Sequence, residues 1–266
     1  MPVSPSGEPA PPSAPALLGR LLALANPANV AGMARYGISS AGTLGVGMVA
    51  LRGMAREVRR GAGAAERHAL AAELWSSGLH EARILAALVD DPALVGEAQA
   101  ERWVRDLDSW DVCDQLCLNL LRRTGFAWKK AAAWAGRGEP FVKRAAFVLM
   151  ATLAVHAREA KDERFEPFLD LAEREAGDDR NFVRKAVSWA VRQIGERNPA
   201  LRRLAVAAAR RIGRSESRSA RWVSRDALRE LEALSAGAGR PGRPRAPRRP
   251  AGRGTRRTSG RGRGAW

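Results

Sequence analysis

Three stretches of this chain carry side chains whose types and spacing could do chemistry. In the first, Leu107 to Cys117, Ser109 reads as an N-cap and Trp110 opens a helix. On a 100° wheel its apolar arc is Val112, Cys113, Leu116, Cys117, Leu120 and Leu121. Trp110 and Asp114, four residues apart, share one rim of that arc and set an aromatic face beside a carboxylate. In the second, Pro140-Phe141-Val142-Lys143-Arg144 opens a helix whose following residues, 145–155, hold no charge and a single polar group, Thr152. Such a helix is buried almost all round. Lys143 and Arg144 sit in its first turn, where the helix dipole disfavours cations. Arginines and helix N-termini both receive anions, so a bound phosphate would resolve the conflict. Removing Arg144 should then relieve an unfavourable dipole contact. In the third, Asn181 to Arg192, the apolar arc is Val183, Ala186, Val187, Ala190, Val191 and Ile194, and Trp189 points away from it beside Lys185 and Arg192.

Helices must position these groups. Ala, Leu, Arg and Glu dominate the composition and β-branched residues are sparse, which predicts an all-α chain. A short apolar helix is expected over 16–25, ended by Asn26-Pro27. Further helices are expected near 48–60, 64–76, 79–89, 92–106, 110–123, 126–136, 140–156, 162–176, 181–196, 199–213 and 219–234, separated by Gly, Pro or Asp breaks. Those opening near 79, 110, 140 and 181 recur every 30 to 41 residues, the period of a two-helix solenoid repeat. Stacked pairs curve and leave a concave face built from one helix of each pair. The helices of Trp110, Arg144 and Trp189 are first members of successive pairs, so they should line that one face.

In sequence order, Trp-Asp-x-x-Asp at 110–114, the Lys143-Arg144 helix start and Asn-Phe-Val-Arg-Lys-Ala-Val-Ser-Trp-Ala-Val-Arg-Gln-Ile-Gly at 181–195 resemble the DNA alkylation repair family. Arg35-Tyr36-Gly37-Ile38, Leu44-Gly45-Val46-Gly47 and Leu51-Arg52 resemble the opening of that family's domain, and the likeness spans roughly residues 35–235. It implies a superhelical solenoid of HEAT-like helical pairs, an α-α superhelix with a right-handed stack. It also implies a DNA glycosylase that excises cationic alkylpurines of the 3-methyladenine and 7-methylguanine type from double-stranded DNA without flipping the base. By this resemblance Asp114 would stabilise the sugar cation, Trp110 and Trp189 would flank the deoxyribose, and Arg144 would grip the neighbouring phosphate. Lys143, Lys185 and Arg192 would join Arg144 in binding DNA. The alternative on the same fold is a helical-repeat module that binds DNA or protein and does no chemistry. Leu74-Trp75, His80-Glu81 and Arg83 resemble the family's second repeat, with Glu81 and Arg83 as inter-helix polar contacts.

Composition bounds the remainder. The formal charge is +17, and residues 236–266 hold ten Arg and no acid, leaving +7 for residues 1–235. A basic chain of this kind prefers a polyanion. The Arg/Gly/Pro-rich tail 236–266 and the leader 1–15, with six Pro, read as disordered segments flanking a domain over 16–235. Cys113 and Cys117 lie one turn apart on a buried arc and read as small core residues, with no third Cys or nearby His to complete a zinc site. His80-Glu81-Ala82-Arg83 lacks the second His of a zinc protease helix. Trp75, Trp103, Trp128 and Trp134 read as packing. No cofactor, metal or membrane is expected. The chain is expected to be an intracellular monomer, cytoplasmic and nucleoid-associated when bound to DNA.

Overall fold

A computed structural model describes residues 12–237. They form thirteen α-helices and two 3-10 turns, with no strand among the described residues. In order, the helices are α1 (Ala14–Ala23), α2 (Pro27–Ala34), α3 (Met48–Gly61), α4 (Ala64–Ser76), α5 (His80–Val89), α6 (Glu97–Arg105), α7 (Trp110–Asn119), α8 (Ala127–Trp134), α9 (Pro140–His156), α10 (Glu166–Glu175), α11 (Asn181–Glu196), α12 (Pro199–Gly213) and α13 (Arg218–Gly237). The 3-10 turns are Leu121–Arg123 and Asp162–Arg164.

Every second helix joins one layer. Helix α3 packs on α5, α5 on α7, α7 on α9, α9 on α11 and α11 on α13. Helices α4, α8 and α12 back α5, α9 and α11 respectively, and α10 packs on α11 and α12. The helices of Trp110, Arg144 and Trp189 are therefore consecutive members of one row. A single apolar cluster runs from Ala14 to Leu231 through every repeat. Within it α9 is buried without a break from Val142 to Ala154, cations included.

Several boundaries differ from the sequence expectation, each for a local reason. Asn26-Pro27 does not only end the first helix; it starts a second. The Asn26 side chain accepts from the Ala28 and Asn29 amides while Pro27 supplies a first residue needing no donor. Asn198-Pro199 opens α12 in the same way. Helix α1 begins at Ala14, capped by Ser13, so the last two residues of the expected leader are already helical. Helix α6 starts only at Glu97 because Asp91 gathers the preceding residues into a turn, its side chain accepting from Ala93 and its carbonyl from Leu94. Helix α7 ends at Asn119 and tightens into 3-10 geometry, where the Thr124 hydroxyl donates to the Leu121 carbonyl. The expected tail beyond Gly237 lies outside the described residues, as do leader residues 1–11.

Candidate functional site

At the N-terminal ends of α7, α9 and α11 one arginine joins all three helices. Arg144 Nε donates to Asp114 Oδ1 at 3.0 Å and Nη2 to Asp114 Oδ2 at 2.8 Å, a two-point grip on the carboxylate. Its Nη1 donates to the Phe182 carbonyl at 2.6 Å in the first turn of α11. The guanidinium carbon lies 5.7 Å from the centre of the Trp110 ring. Arg144 is buried, and the Asp114 side chain keeps 19% of its surface exposed.

This geometry corrects one expectation directly. The anion that answers Arg144 in the first turn of α9 is Asp114, so no phosphate is needed to resolve the conflict with the helix dipole. A guanidinium has five N–H donors, however, and three are engaged, so Nη1 and Nη2 each keep one. Burial raises the Asp114 carboxyl above its usual value by more than the Arg144 charge and hydrogen bonds lower it. With both oxygens accepting from a guanidinium, Asp114 is a carboxylate.

Trp110 is held from an unexpected quarter. Its indole N–H donates at 3.1 Å to the carbonyl of Tyr36, in the loop before α3. That loop is clamped by Glu81, whose buried carboxylate accepts from the backbone amides of Leu44, Gly45 and Val46 at 2.9, 2.6 and 3.2 Å. Glu81 thus binds loop backbone rather than a neighbouring helix. Gly37 adopts φ 78°, and a β-carbon there would come within 2.9 Å of the Phe182 ring, so the loop also seats against α11. Phe182 in turn stacks on Phe141 of α9, with ring centres 6.1 Å apart.

Behind the site lies a second charged pair. His80 Nε2 meets Asp111 Oδ2 at 2.8 Å, and the Ser109 hydroxyl donates to Asp111 Oδ1 at 2.5 Å. Ser109 stands at the N-cap position, but its side chain is engaged there instead of capping. Burial lowers the His80 imidazole's affinity for protons, yet Asp111 more than offsets this and holds it above its usual value. The two aspartates of Trp-Asp-x-x-Asp therefore differ. Asp111 pairs with His80 and Ser109, and Asp114 with Arg144; each side chain keeps 19% of its surface exposed.

The remaining expected site residues are less closely joined. Trp189 is half-buried and sits seven residues beyond Phe182, about 10 Å along α11 at ~1.5 Å per residue. It makes no hydrogen bond and no ring contact with Trp110 among the described residues. Lys143, expected to face an anion, is neutralised internally by Glu175 at 2.7 Å and Asp178 at 3.2 Å. Arg192 is likewise held by Glu230 at 2.8 Å and Asp226 at 3.3 Å on α13. Lys185 is exposed, with no ion-pair partner among the described residues. Below Trp189, Ala154, Val155, Arg158, Gln193, Glu196 and Arg197 line a recess of about 340 Å³.

The other residues that sequence reading singled out sit in the packing. Trp75 and Trp103 stack in parallel 4.2 Å apart, and Trp134 is fully buried, donating to Glu101. Trp128 lies between Phe165, Phe168 and the Arg164 guanidinium. Arg83 donates to the Asp106 carbonyl and lies over Trp75. Cys113 and Cys117 are free and buried, their thiols directed at the Phe141 and Ala145 carbonyls of α9. Among the described residues no three His, Cys, Asp or Glu side chains gather as a metal site, and no helix is long and apolar enough to cross a membrane.

A sequence profile described as "DNA alkylation repair enzyme" matches residues 17–231, most of the chain. The chain belongs to the DNA alkylation repair enzyme family. Among solved structures it resembles a protein described as "a new family of proteins related to the HEAT-like repeat DNA glycosylases with affinity for branched DNA structures". The TM-score is 0.67 at 16% sequence identity, over 82% of this chain and 96% of that one. At that identity the likeness establishes the HEAT-like fold alone. No curated protein matches the chain by sequence. The row α3, α5, α7, α9, α11 and α13, the inner row, is thus one layer of a HEAT-like solenoid, and Trp110, Asp114 and Arg144 stand on it. Helices α5 and α9 are backed by the helices that precede them, α4 and α8, so they are second and not first members of their pairs.

Proposed function

We propose that this member of the DNA alkylation repair enzyme family is a DNA N-glycosylase that releases cationic alkylated purines, of the 3-methyladenine and 7-methylguanine type, from double-stranded DNA. The observation that carries this reading is a partly exposed carboxylate, Asp114, fixed by a two-point grip from a buried arginine beside a tryptophan face. Alkylation at N3 or N7 makes the purine cationic. When its bond to C1′ breaks, the bonding pair leaves with the base, which becomes neutral, and the positive charge passes to the sugar. Asp114 stabilises that oxocarbenium-like sugar, and Trp110, with Trp189 further along α11, offers it an aromatic face. Water then bonds to C1′ and its proton passes to solvent. Arg144 positions Asp114 and keeps it ionised, while its two remaining N–H groups reach the adjacent phosphate. Selectivity comes from the charge of the leaving base, so the base needs no protein pocket and no flipping. Lys185 adds a phosphate contact, and the protein acts as a cytoplasmic monomer, nucleoid-associated on DNA.

A second reading keeps the fold and discards the chemistry. Arg144 neutralises Asp114, and Lys143 and Arg192 are answered by internal acids, an arrangement that also suits a module that only binds DNA. Single-turnover release of 7-methylguanine from alkylated duplex separates the two. Asp114→Asn should slow release by roughly three orders of magnitude. Two unit charges about 4 Å apart interact by roughly 4 kcal/mol at an effective dielectric near 20, and that interaction develops in the transition state. No release by the wild type, with duplex binding intact, selects the non-catalytic module.

A further inference from the structure

The opposite ends of the inner helices carry cations of another kind. Arg59 lies in the last turn of α3, Arg122 and Arg123 in the 3-10 turn after α7, His156 at the end of α9, and Arg158 two residues beyond. Among the described residues none of these five has a carboxylate partner. Arg59 donates to the Leu88 carbonyl at the end of α5, and Arg122 Nε to the Leu118 carbonyl in the last turn of α7 at 2.5 Å. Two nearby acids are engaged elsewhere, Glu57 with Arg20 at 2.8 Å and Asp91 with Arg67 at 2.6 Å. Glu196 lines the recess with Arg158, and Glu159, next to Arg158 in sequence, is exposed. The five sit close enough to oppose one another's charge. Arg123 and Arg67 act on Arg59, Arg123 acts on Arg122, and Arg122 and Arg158 act on His156, each adding to burial in lowering the group.

We infer that Arg59, Arg122, Arg123, His156 and Arg158 form a second phosphate track, which holds the DNA backbone across the groove from the strand at Asp114 and Arg144. Mutually repelling cations with no ion-pair partner among the described residues call for an external polyanion, and they follow one edge of the same layer that bears the site. Arg122 stands eight residues beyond Asp114, about 12 Å at ~1.5 Å per residue. A B-form major groove is also about 12 Å wide. Guanidiniums that donate one N–H to a helix-end carbonyl keep the others for phosphate oxygens.

This rests on the DNA-binding reading above, and the test separates the two. The full chain, its Arg122→Gln/Arg123→Gln/Arg158→Gln variant and a charge-matched control, Arg102→Gln/Arg105→Gln/Arg174→Gln on the outer helices α6 and α10, are titrated with unmodified duplex DNA at several salt concentrations. Each lost phosphate contact removes about 0.9 from the log–log salt slope, so the edge variant should be shallower by roughly 2–3 and the control unchanged. The His156 ring, followed by NMR in the wild type, should titrate at higher pH once duplex is bound. An edge variant whose slope matches the control overturns the track and leaves the site reading standing. Should the triple variant lose its fold, Arg123→Gln/Arg158→Gln, both at exposed positions, decides the matter at roughly two-thirds of the slope change. Failure of the wild type to bind duplex at all removes both.

Discussion

The two ends of the inner helices treat positive charge in opposite ways. At the N-terminal ends Lys143 and Arg144 face partial positive charge from the peptide dipoles, and both are buried. Each is answered by carboxylates from another element: Asp114 for Arg144, Glu175 and Asp178 for Lys143. At the C-terminal ends Arg59 and Arg122 find helix carbonyls already carrying negative partial charge, and they need no acid. The same residue type thus serves as an internal brace at one end and an outward-facing cation at the other. A count of lysines and arginines misleads about binding surface, because those nearest the carboxylate are the most completely neutralised.

The largest effect should follow from breaking the brace. Arg144→Ala strands Asp114 without its partner, and removing one member of a buried pair costs about 3–5 kcal/mol. Arg123→Ala, at the other end, should stay within about 0.5 kcal/mol of wild type. Equal losses in chemical denaturation would erase the distinction. This reverses the expectation that removing Arg144 relieves the helix dipole. Replacing the pair by Asp114→Leu/Arg144→Met should recover most of the lost stability, since an apolar pair of similar volume leaves no charge buried.

The next effect concerns Lys143's acids. Hydrogen bonds from Arg180, with a further one from Lys143, outweigh burial and bring the Asp178 carboxyl down to about 2. Its folded value lies below its unfolded one near 3.8, so the stabilisation is complete above about pH 4 and is lost as pH falls through about 2. Asp178→Asn should cost about 2 kcal/mol at pH 7, and its stability curve should meet the wild type's near pH 2. Parallel curves over that range would show that Asp178 contributes through shape alone.

The smallest effect is the most direct comparison, because each end carries one histidine. His80, beside Asp111, should titrate above the usual imidazole value, and His156, lowered first by burial and then by Arg122 and Arg158, should titrate below it. The signs for stability are opposite. The contribution of His80 is fully present below pH 6.5 and fades as pH rises through its folded value. His156 opposes folding once pH drops below 6.5, through its own depressed value. Ring proton shifts followed from pH 5 to 9 measure both, and two coincident titrations would dissolve the contrast.

Much of this was legible beforehand. Hydrophobic periodicity located the helices from α3 onward, and repeat spacing placed Trp110, Arg144 and Trp189 on one row. Three motif residues, Trp110, Asp114 and Arg144, do stand together. Their pairing was hidden, because the register between α7 and α9 decides which side chains meet, and no single helix encodes it. The role of Tyr36 was equally hidden. Its carbonyl holds the Trp110 indole, and a backbone atom leaves no trace in residue type. Helix α2 was missed because Asn26-Pro27 signals a stop and a start alike, and only the amides that Asn26 accepts tell which.

The bonds at Trp110 and Arg144 bind together pieces of chain far apart in sequence. The Tyr36 carbonyl comes from before α3 and the Phe182 carbonyl from the start of α11, on either side of the helices that bear the carboxylate. A stack in which each repeat touches mainly its neighbours frays from its ends inward. Unravelling at the amino-terminal side frees the indole, and unravelling at the other takes away one anchor of the guanidinium. The constellation therefore exists only in chains zipped from both directions, and a half-unzipped molecule loses it.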